Sequence, residues 1–332
     1  VVGACGDTGE RAPEALGLNE LTLASHATPQ PAAGELVVEV HGAALNFSDL
    51  LMINNQYQVR PDRPFTPGQE LSGIVMATGI DCTHTVGERV VSKVLWGAFA
   101  EHAIVRDDMA MTVPESCDLV DAAAMPVVAT TAVVALTEST QVQAGETVLV
   151  HAGAGGVGLA SVQVARALGA TVIATAGSPE KCTIAAKWGA HHVINYRKDD
   201  FVPLVKALTD GAGVDVIVDS VGGEIGVQSL RCLAWQGRLL IVGFASGEIQ
   251  NLPSNRLLLK GASAIGVYWS HDVDLPMVRR AEKRMRKLWE DGLVQPVVDR
   301  RQSLKAVPQA LEDLAERRTW GKVVVVLRSE DK

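Results

Sequence analysis

The run Gly153-Ala154-Gly155-Gly156-Val157-Gly158 fits G-x-G-x-x-G. It directly follows a β-rich stretch, residues 146–151. It opens a segment with apolar residues at 157, 159, 162, 164, 165 and 168, close to helical spacing. Strand, glycines, then helix is the context that gives this string chemical meaning. The glycines permit a tight turn and let a pyrophosphate approach backbone N–H groups. The helix N-terminus adds about half a positive charge there. Gly153, Gly155, Gly156, Val157 and Gly158 are therefore expected to hold a dinucleotide. The alternative is a Gly-rich turn without a ligand.

An NAD site usually places Asp or Glu at the end of the second strand, about 20 residues past the first glycine. Here that place reads Thr175-Ala176-Gly177-Ser178, with Lys181 three residues on and Tyr196 ending the third strand. A missing acid, a hydroxyl and a lysine suit a ribose 2′-phosphate, which a carboxylate would repel. Gly177, Ser178, Lys181 and Tyr196 are thus read as cofactor-binding, and NADPH as the coenzyme. Lys181 reads equally as a solvated helix lysine, and Tyr196 as a strand-end aromatic.

The elements that position these residues fall into three regions. Residues 1–125 carry short β runs (35–40, 72–77, 89–94) bounded by glycines and polar turns, which suggests a barrel-like domain. From 126, strands at 146–151, 171–174, 192–196, 215–219, 238–242 and 264–268 alternate with helical segments. That alternation predicts a doubly wound parallel sheet, an α/β fold. Beyond 270 come helices at 277–290 and 305–316 and a strand at 321–327, which is expected to rejoin the first domain. In such sheets cofactors lie at the carboxyl ends of strands, so Ser220, Val221, Gly243 and Phe244 are expected to line the nicotinamide half.

Further residues complete a pattern. Ala44-Leu45-Asn46-Phe47-Ser48-Asp49, Pro67-Gly68-Gln69-Glu70-Leu71-Ser72-Gly73, Val193-Ile194-Asn195-Tyr196-Arg197, Asp219-Ser220-Val221-Gly222-Gly223, Leu258-Leu259-Lys260-Gly261 and Gly266-Val267-Tyr268-Trp269 join the glycine loop. With these the chain resembles the zinc-independent quinone oxidoreductases (zeta-crystallin-like) of the medium-chain dehydrogenase/reductase superfamily, over nearly its whole length. The resemblance implies a GroES-like catalytic domain from both chain ends (1–125 and 271–332), a Rossmann domain over 126–270, a cleft between them, and NADPH-dependent hydride transfer. It also implies a homodimer, through an edge strand at 263–269 that would carry Tyr268 and Trp269.

The zinc alcohol dehydrogenases of that superfamily offer a contrast. They place a cysteine ligand in the stretch that here reads 46–49, and Gly-His-Glu where this chain has Gly68-Gln69-Glu70. Neither Asn nor Gln replaces Cys or His well at zinc, so no metal is expected. Short-chain dehydrogenases need Tyr-x-x-x-Lys. The residues four beyond Tyr57, Tyr196 and Tyr268 are Pro61, Asp200 and Asp272, which excludes that mechanism. His151 reads as a structural histidine on a buried strand.

Without zinc nothing strongly polarises an alcohol or simple ketone. A quinone or enone needs less help, because its conjugation delocalises incoming charge. By the resemblance, Asn46, Tyr57 and Thr131 lie by the nicotinamide, with Asn46 able to donate an amide N–H and Tyr57 a phenol proton. The alternatives are a turn residue for Asn46, a packing lid for Tyr57 and a domain-junction helix residue for Thr131. Phe47, Trp96 and Trp269 read as apolar walls or as core. A quinone is the first substrate class. An enone or enoyl thioester is the second, with Arg60 and Arg63 available near Tyr57. A non-catalytic, RNA-binding crystallin-like role is the third, resting on the basic run 279–287.

Composition narrows the field. The chain has 332 residues, 47% apolar and 20% charged, with 30 basic against 38 acidic side chains and a net charge of −8. That disfavours nucleic acid and anionic membranes as partners. No run approaches the roughly 18 apolar residues of a membrane helix. Residues 1–10 show no basic n-region, so no secretory signal is expected. Cys5, Cys82, Cys117, Cys182 and Cys232 form no Cys-x-x-Cys, so a reducing, cytoplasmic setting is expected.

Overall fold

The computed structural model describes residues 2–4 and 17–328. Cys5 and the rest of 5–10, read above for a secretory signal, lie outside them. The chain divides into two compact units, Val1–Val127 with Pro296–Lys332, and Val128–Gln295.

The first unit is built on a seven-stranded sheet. Its long strand Glu35–Ala44 pairs antiparallel with Glu70–Thr78 on one side. On the other it pairs with His102–Arg106 along its first half and with Lys322–Val326 at its end. The last strand thus rejoins the first domain, as expected, with Val324 opposite Ala44. Strands Arg89–Lys93 and Ala110–Thr112 extend the sheet one way, and Val298–Ser303 the other. Alternate residues from these strands, among them Leu36, Leu71, Val90, Val105 and Val325, close with Phe99 into one buried cluster. Strand periodicity puts such residues on one face.

In the second unit the strand order is His192–Asn195, Thr171–Ala176, Thr147–Val150, Val214–Asp219, Leu233–Ile241, Ser263–Gly266. Every pairing is parallel. In chain order this is 3-2-1-4-5-6, the doubly wound dinucleotide fold. Helices Gly156–Ala167, Pro179–Lys187, Phe201–Leu208, Gly223–Ser229 and Ser254–Lys260 make the crossovers.

Two features differ from the sequence reading. The second unit ends at 295 rather than 270. Helix Leu275–Glu290 buries Val278, Ala281, Met285 and Trp289, and its Glu282 accepts a bond from His271 at 2.8 Å, which ties it to that unit. The edge strand stops at Gly266, so Tyr268 and Trp269 are not on it. Trp269 turns inward and is buried, its indole N–H held by Thr131 at 3.0 Å, while Tyr268 stays 62% exposed. Pro126 opens the helix Pro126–Val133, which passes into a buried π-helical turn, Val134–Ser139. Among the described residues no helix is long and apolar enough to cross a membrane.

Candidate functional site

The parallel sheet delivers the sequence-predicted cofactor residues to one edge. Gly153 follows Thr147–Val150, Gly177 and Ser178 follow Thr171–Ala176, and Tyr196 follows His192–Asn195. Ser220 and Val221 follow Val214–Asp219, and Gly243 and Phe244 follow Leu233–Ile241. All therefore sit at carboxyl ends of strands, where such folds bind ligands. The loop glycines have steric reasons to be glycine. A Cβ on Gly158 would lie 2.1 Å from the Ala152 carbonyl oxygen, and one on Gly153 would lie 2.6 Å from the Ala174 Cβ. Helix Gly156–Ala167 starts with no side-chain cap, so its first N–H groups, on Gly156, Val157 and Gly158, face outward from the helix end. Ser178 caps helix Pro179–Lys187 by accepting from the Lys181 N–H at 3.2 Å, which leaves its hydroxyl proton to donate elsewhere. The Tyr196 hydroxyl lies over Gly177, 2.7 Å from where a Cβ would stand.

Buried polar groups hold this edge in shape. Asp219, fully buried, accepts through Oδ1 from the N–H groups of Val221 (2.8 Å) and Gly222 (3.0 Å). Ser220 and Val221 in turn accept from the N–H groups of Ala245 and Ser246, which knits the two candidate nicotinamide loops together. His151 is fully buried between Thr175 Oγ1 (3.0 Å) and Ser229 Oγ (2.8 Å). Desolvation pushes its pKa down to about 4, against the pull of Asp219, so it is a neutral structural histidine at pH 7.

The first unit holds a second polar group of residues, buried apart from the half-buried Ser48. Asn46 precedes helix Phe47–Ile53, and its backbone N–H donates to Asp49 Oδ2 at 2.7 Å. Its side-chain Nδ2 donates to Glu70 Oε1 (2.9 Å) and to the Ala44 carbonyl (3.3 Å). Its Oδ1 accepts from Lys322 Nζ at 2.7 Å. The ammonium also reaches Glu70 Oε1 at 2.6 Å and the Leu45 carbonyl at 2.5 Å. Glu70 Oε2 accepts from the Val127 N–H, and Ser48 donates to Gln69 Oε1. Both Nδ2 protons of Asn46 are thus committed to protein acceptors, not held out for an incoming acceptor oxygen. Burial pushes the Asp49 carboxyl up to about 7, although the Asn46 N–H and the Lys322 charge pull it down.

Tyr57 is half-buried and packs against the core of the first unit. Thr131 belongs to the second unit, and its hydroxyl oxygen accepts from Trp269. Phe47 and Trp96 are partly exposed, at 36% and 40%. Arg63 is committed to the Ile53 carbonyl at 2.7 Å, and Arg60 Nε to the Tyr57 carbonyl at 3.3 Å. On helix Leu275–Glu290 the basic run is largely ion-paired: Arg279 with Glu282, Arg280 with Glu138, Arg286 with Glu290 and Lys287 with Asp291.

Sequence reading missed Lys322 and Asp49. The available signal was a charge placed directly before four valines, at the start of a strand whose other members are all apolar.

Comparison with known proteins gives consistent matches. Residues 32–115 match the alcohol dehydrogenase GroES-like domain and residues 156–283 the zinc-binding dehydrogenase domain. Quinone oxidoreductase-like protein 2 of Mus musculus is 39% identical over 305 residues, covering 90% of this chain and 87% of its own. The Escherichia coli quinone oxidoreductase complexed with NADPH superposes with a TM-score of 0.86 at 30% identity, over 94% of this chain and 98% of that one. The CurK enoyl reductase is similar at a TM-score of 0.85 and 26% identity, over 94% and 97%.

Asp49 yields a test. A carboxyl near 7 in the folded chain and near 3.9 in an unfolded one binds its proton more tightly when folded. Its stabilising contribution is full below about pH 4 and is lost as pH rises toward 7, by about 1.4 kcal/mol per pH unit. In urea unfolding over that range, Asp49→Asn should gain on the wild type at about that slope. Parallel pH curves for the two proteins would place the Asp49 pKa near that of an exposed carboxyl.

Proposed function

We propose, because this chain belongs to the quinone oxidoreductase (zeta-crystallin-like) family of the medium-chain dehydrogenase/reductase superfamily, that it is an NADPH-dependent oxidoreductase that reduces a quinone without a metal. The observation that carries the reading is the carboxyl edge of the second unit's sheet. A glycine-rich turn, an uncapped helix start and a second strand ending without a carboxylate gather there. That edge fits a dinucleotide with a 2′-phosphate, held by Gly153, Gly155, Gly156, Val157 and Gly158 at the pyrophosphate. Gly177, Ser178, Lys181 and Tyr196 face the adenosine end, and Ser220, Val221, Gly243 and Phe244 the nicotinamide half. When bound, NADPH supplies the hydride.

The residues do not fit a catalytic zinc. The stretches that carry ligands in zinc dehydrogenases offer Asn46 and Gln69 here, both engaged in protein hydrogen bonds, and the nearby Glu70 is already paired with an ammonium. Catalysis then rests on orientation and on hydrogen-bond donors near the acceptor. The Asn46 protons point to Glu70 and Ala44, so Tyr57 is the phenol donor in this reading. Thr131, steadied by Trp269, is a second hydroxyl. An enone or enoyl thioester is the second reading, supported by the likeness to an enoyl reductase. The commitment of Arg60 and Arg63 to backbone carbonyls weakens the thioester case. Ion pairing along the basic helix weakens the RNA-binding alternative. A reducing, cytoplasmic setting remains our expectation from cysteine usage. We also propose a homodimer. Leu258, Leu259 and Tyr268 are 79%, 75% and 62% exposed beside the edge strand Ser263–Gly266, an apolar edge that another copy would cover.

NADPH oxidation with quinone and enone panels tests the reading. If the Tyr57 hydroxyl donates in the transition state, Tyr57→Phe should lower kcat by about 10- to 100-fold with NADPH affinity unchanged. Full activity with both acceptor classes would remove Tyr57 from the catalytic list. For the coenzyme, Lys181→Ala should weaken NADPH binding by about 10- to 150-fold and leave NADH binding nearly untouched, the scale of one charge-assisted hydrogen bond. Equal losses for both would place Lys181 away from the phosphate. Light scattering should give twice the chain mass of 35.1 kDa, and a monomeric mass would refute the dimer.

A further inference from the structure

Lys322 is 5% exposed, yet every proton of its ammonium has an acceptor: the Leu45 carbonyl (2.5 Å), Asn46 Oδ1 (2.7 Å) and Glu70 Oε1 (2.6 Å). An ammonium has three donors and no acceptor, so the group is saturated. It has no proton left to offer a substrate, and whatever it does for the reaction it does through its partners.

Those partners are informative. Two lie where the resemblance puts the segments that carry zinc ligands in other members of the superfamily, 46–49 and 68–70. The ammonium also fixes the Asn46 amide unambiguously. With a donor against Oδ1, Nδ2 must face the carboxylate of Glu70, and it does, at 2.9 Å. Glu70 is pinned in turn by the Val127 N–H at 2.8 Å. The backbone of Asn46 starts helix Phe47–Ile53 through Asp49. The half-buried Ser48 and partly exposed Phe47 follow directly on the fixed residue. A single cation therefore sets the position of the whole 45–49 corner.

We infer that Lys322 is a positioning residue for hydride transfer: its ammonium draws the 45–49 corner and Glu70 together, a clamp supplied by the protein between two segments that contribute metal ligands elsewhere in the superfamily. This rests on the reading of the 46–49 segment as part of the acceptor site. Removing the clamp lets the corner drift, and a shift of about 1 Å in such an element can cost on the order of 100-fold in rate.

The test uses the whole 332-residue chain and three variants. Lys322→Met alone leaves Glu70 buried without its cation and can fail to fold. Lys322→Met/Glu70→Gln removes both charges and keeps the volume. Lys322→Arg keeps the charge. Rates are counted per NADPH-binding site, titrated by coenzyme fluorescence, so a loss of folded protein does not register as a loss of rate. The expected result for the double variant is an NADPH Kd within about twofold of wild type, because the glycine loop belongs to the other unit, and kcat about 10- to 100-fold lower. Lys322→Arg should recover part of that rate. An unchanged kcat per site in the double variant overturns the inference.

A second readout needs no turnover. With asparagine labelled in nitrogen-15, the Asn46 side-chain amide, assigned through Asn46→Ser, should be shielded from solvent exchange in the wild type. In the double variant it should shift and exchange faster. If the wild type reduces neither quinones nor enones, the functional reading fails and this signal alone judges the clamp. An Asn46 amide that does not change between the two proteins overturns it.

Discussion

A buried ammonium is tolerable only when its charge is paired and its protons are accepted. Lys322 meets both conditions with groups that lie about 250 residues or more earlier in the chain. This requirement fixes how the chain's end is used. Strand Lys322–Val326 must add to Glu35–Ala44 in the register that sets Val324 opposite Ala44. A slip of one residue would turn the lysine to the opposite face and put an ammonium among valines. Losing one partner of such a pair costs about 3–5 kcal/mol, because the other charge stays buried. The first unit is thus closed by a contact that neither end of the chain could make alone.

The second unit solves a different problem. Its four central strands are largely buried and joined by crossover helices, and at their amino ends Arg238 makes a bidentate ion pair with Glu146. A second set of polar groups sits where the strands end. Asp219 and His151 sit there fully buried: one carboxylate oxygen holds two loop N–H groups, and the neutral imidazole links the Thr175 and Ser229 hydroxyls. The loops at these strand ends are in this way braced from beneath.

Much of this was legible from residue order. The glycine string, the alternation of strands and helices, and the missing acid after residue 176 all depend on local spacing, and local spacing survives folding. The contrast at 46–49 and 69 was legible because residue type is read directly from the sequence. The polar cluster was not, because it depends on a residue almost 280 positions away from Asn46, and no periodicity announces a pairing across that distance. Trp269 was misplaced for a related reason. Its strand pattern continues through 268, but the Thr131 hydroxyl, far earlier in sequence, draws the indole inward. Helix Leu275–Glu290 read as a basic surface element. Its buried Glu282, which binds it to His271, was hidden among the charges.

The saturation of the ammonium also bears on what can be reduced. An open metal site polarises a bound oxygen because one coordination position is free for it. Lys322 has no such position, for its three protons all end on Leu45, Asn46 and Glu70. Asn46, whose amide protons are likewise engaged, cannot replace it as an electrophile without breaking bonds to Glu70 and Ala44. On the functional reading proposed above, a simple ketone or aldehyde, which needs its carbonyl strongly polarised before hydride can add, would gain no pull on its oxygen from this cluster. A conjugated acceptor spreads the arriving charge over its own framework and asks only to be held in place. On the same reading, a cluster whose chemistry is spent on holding protein to protein suits that second kind of substrate.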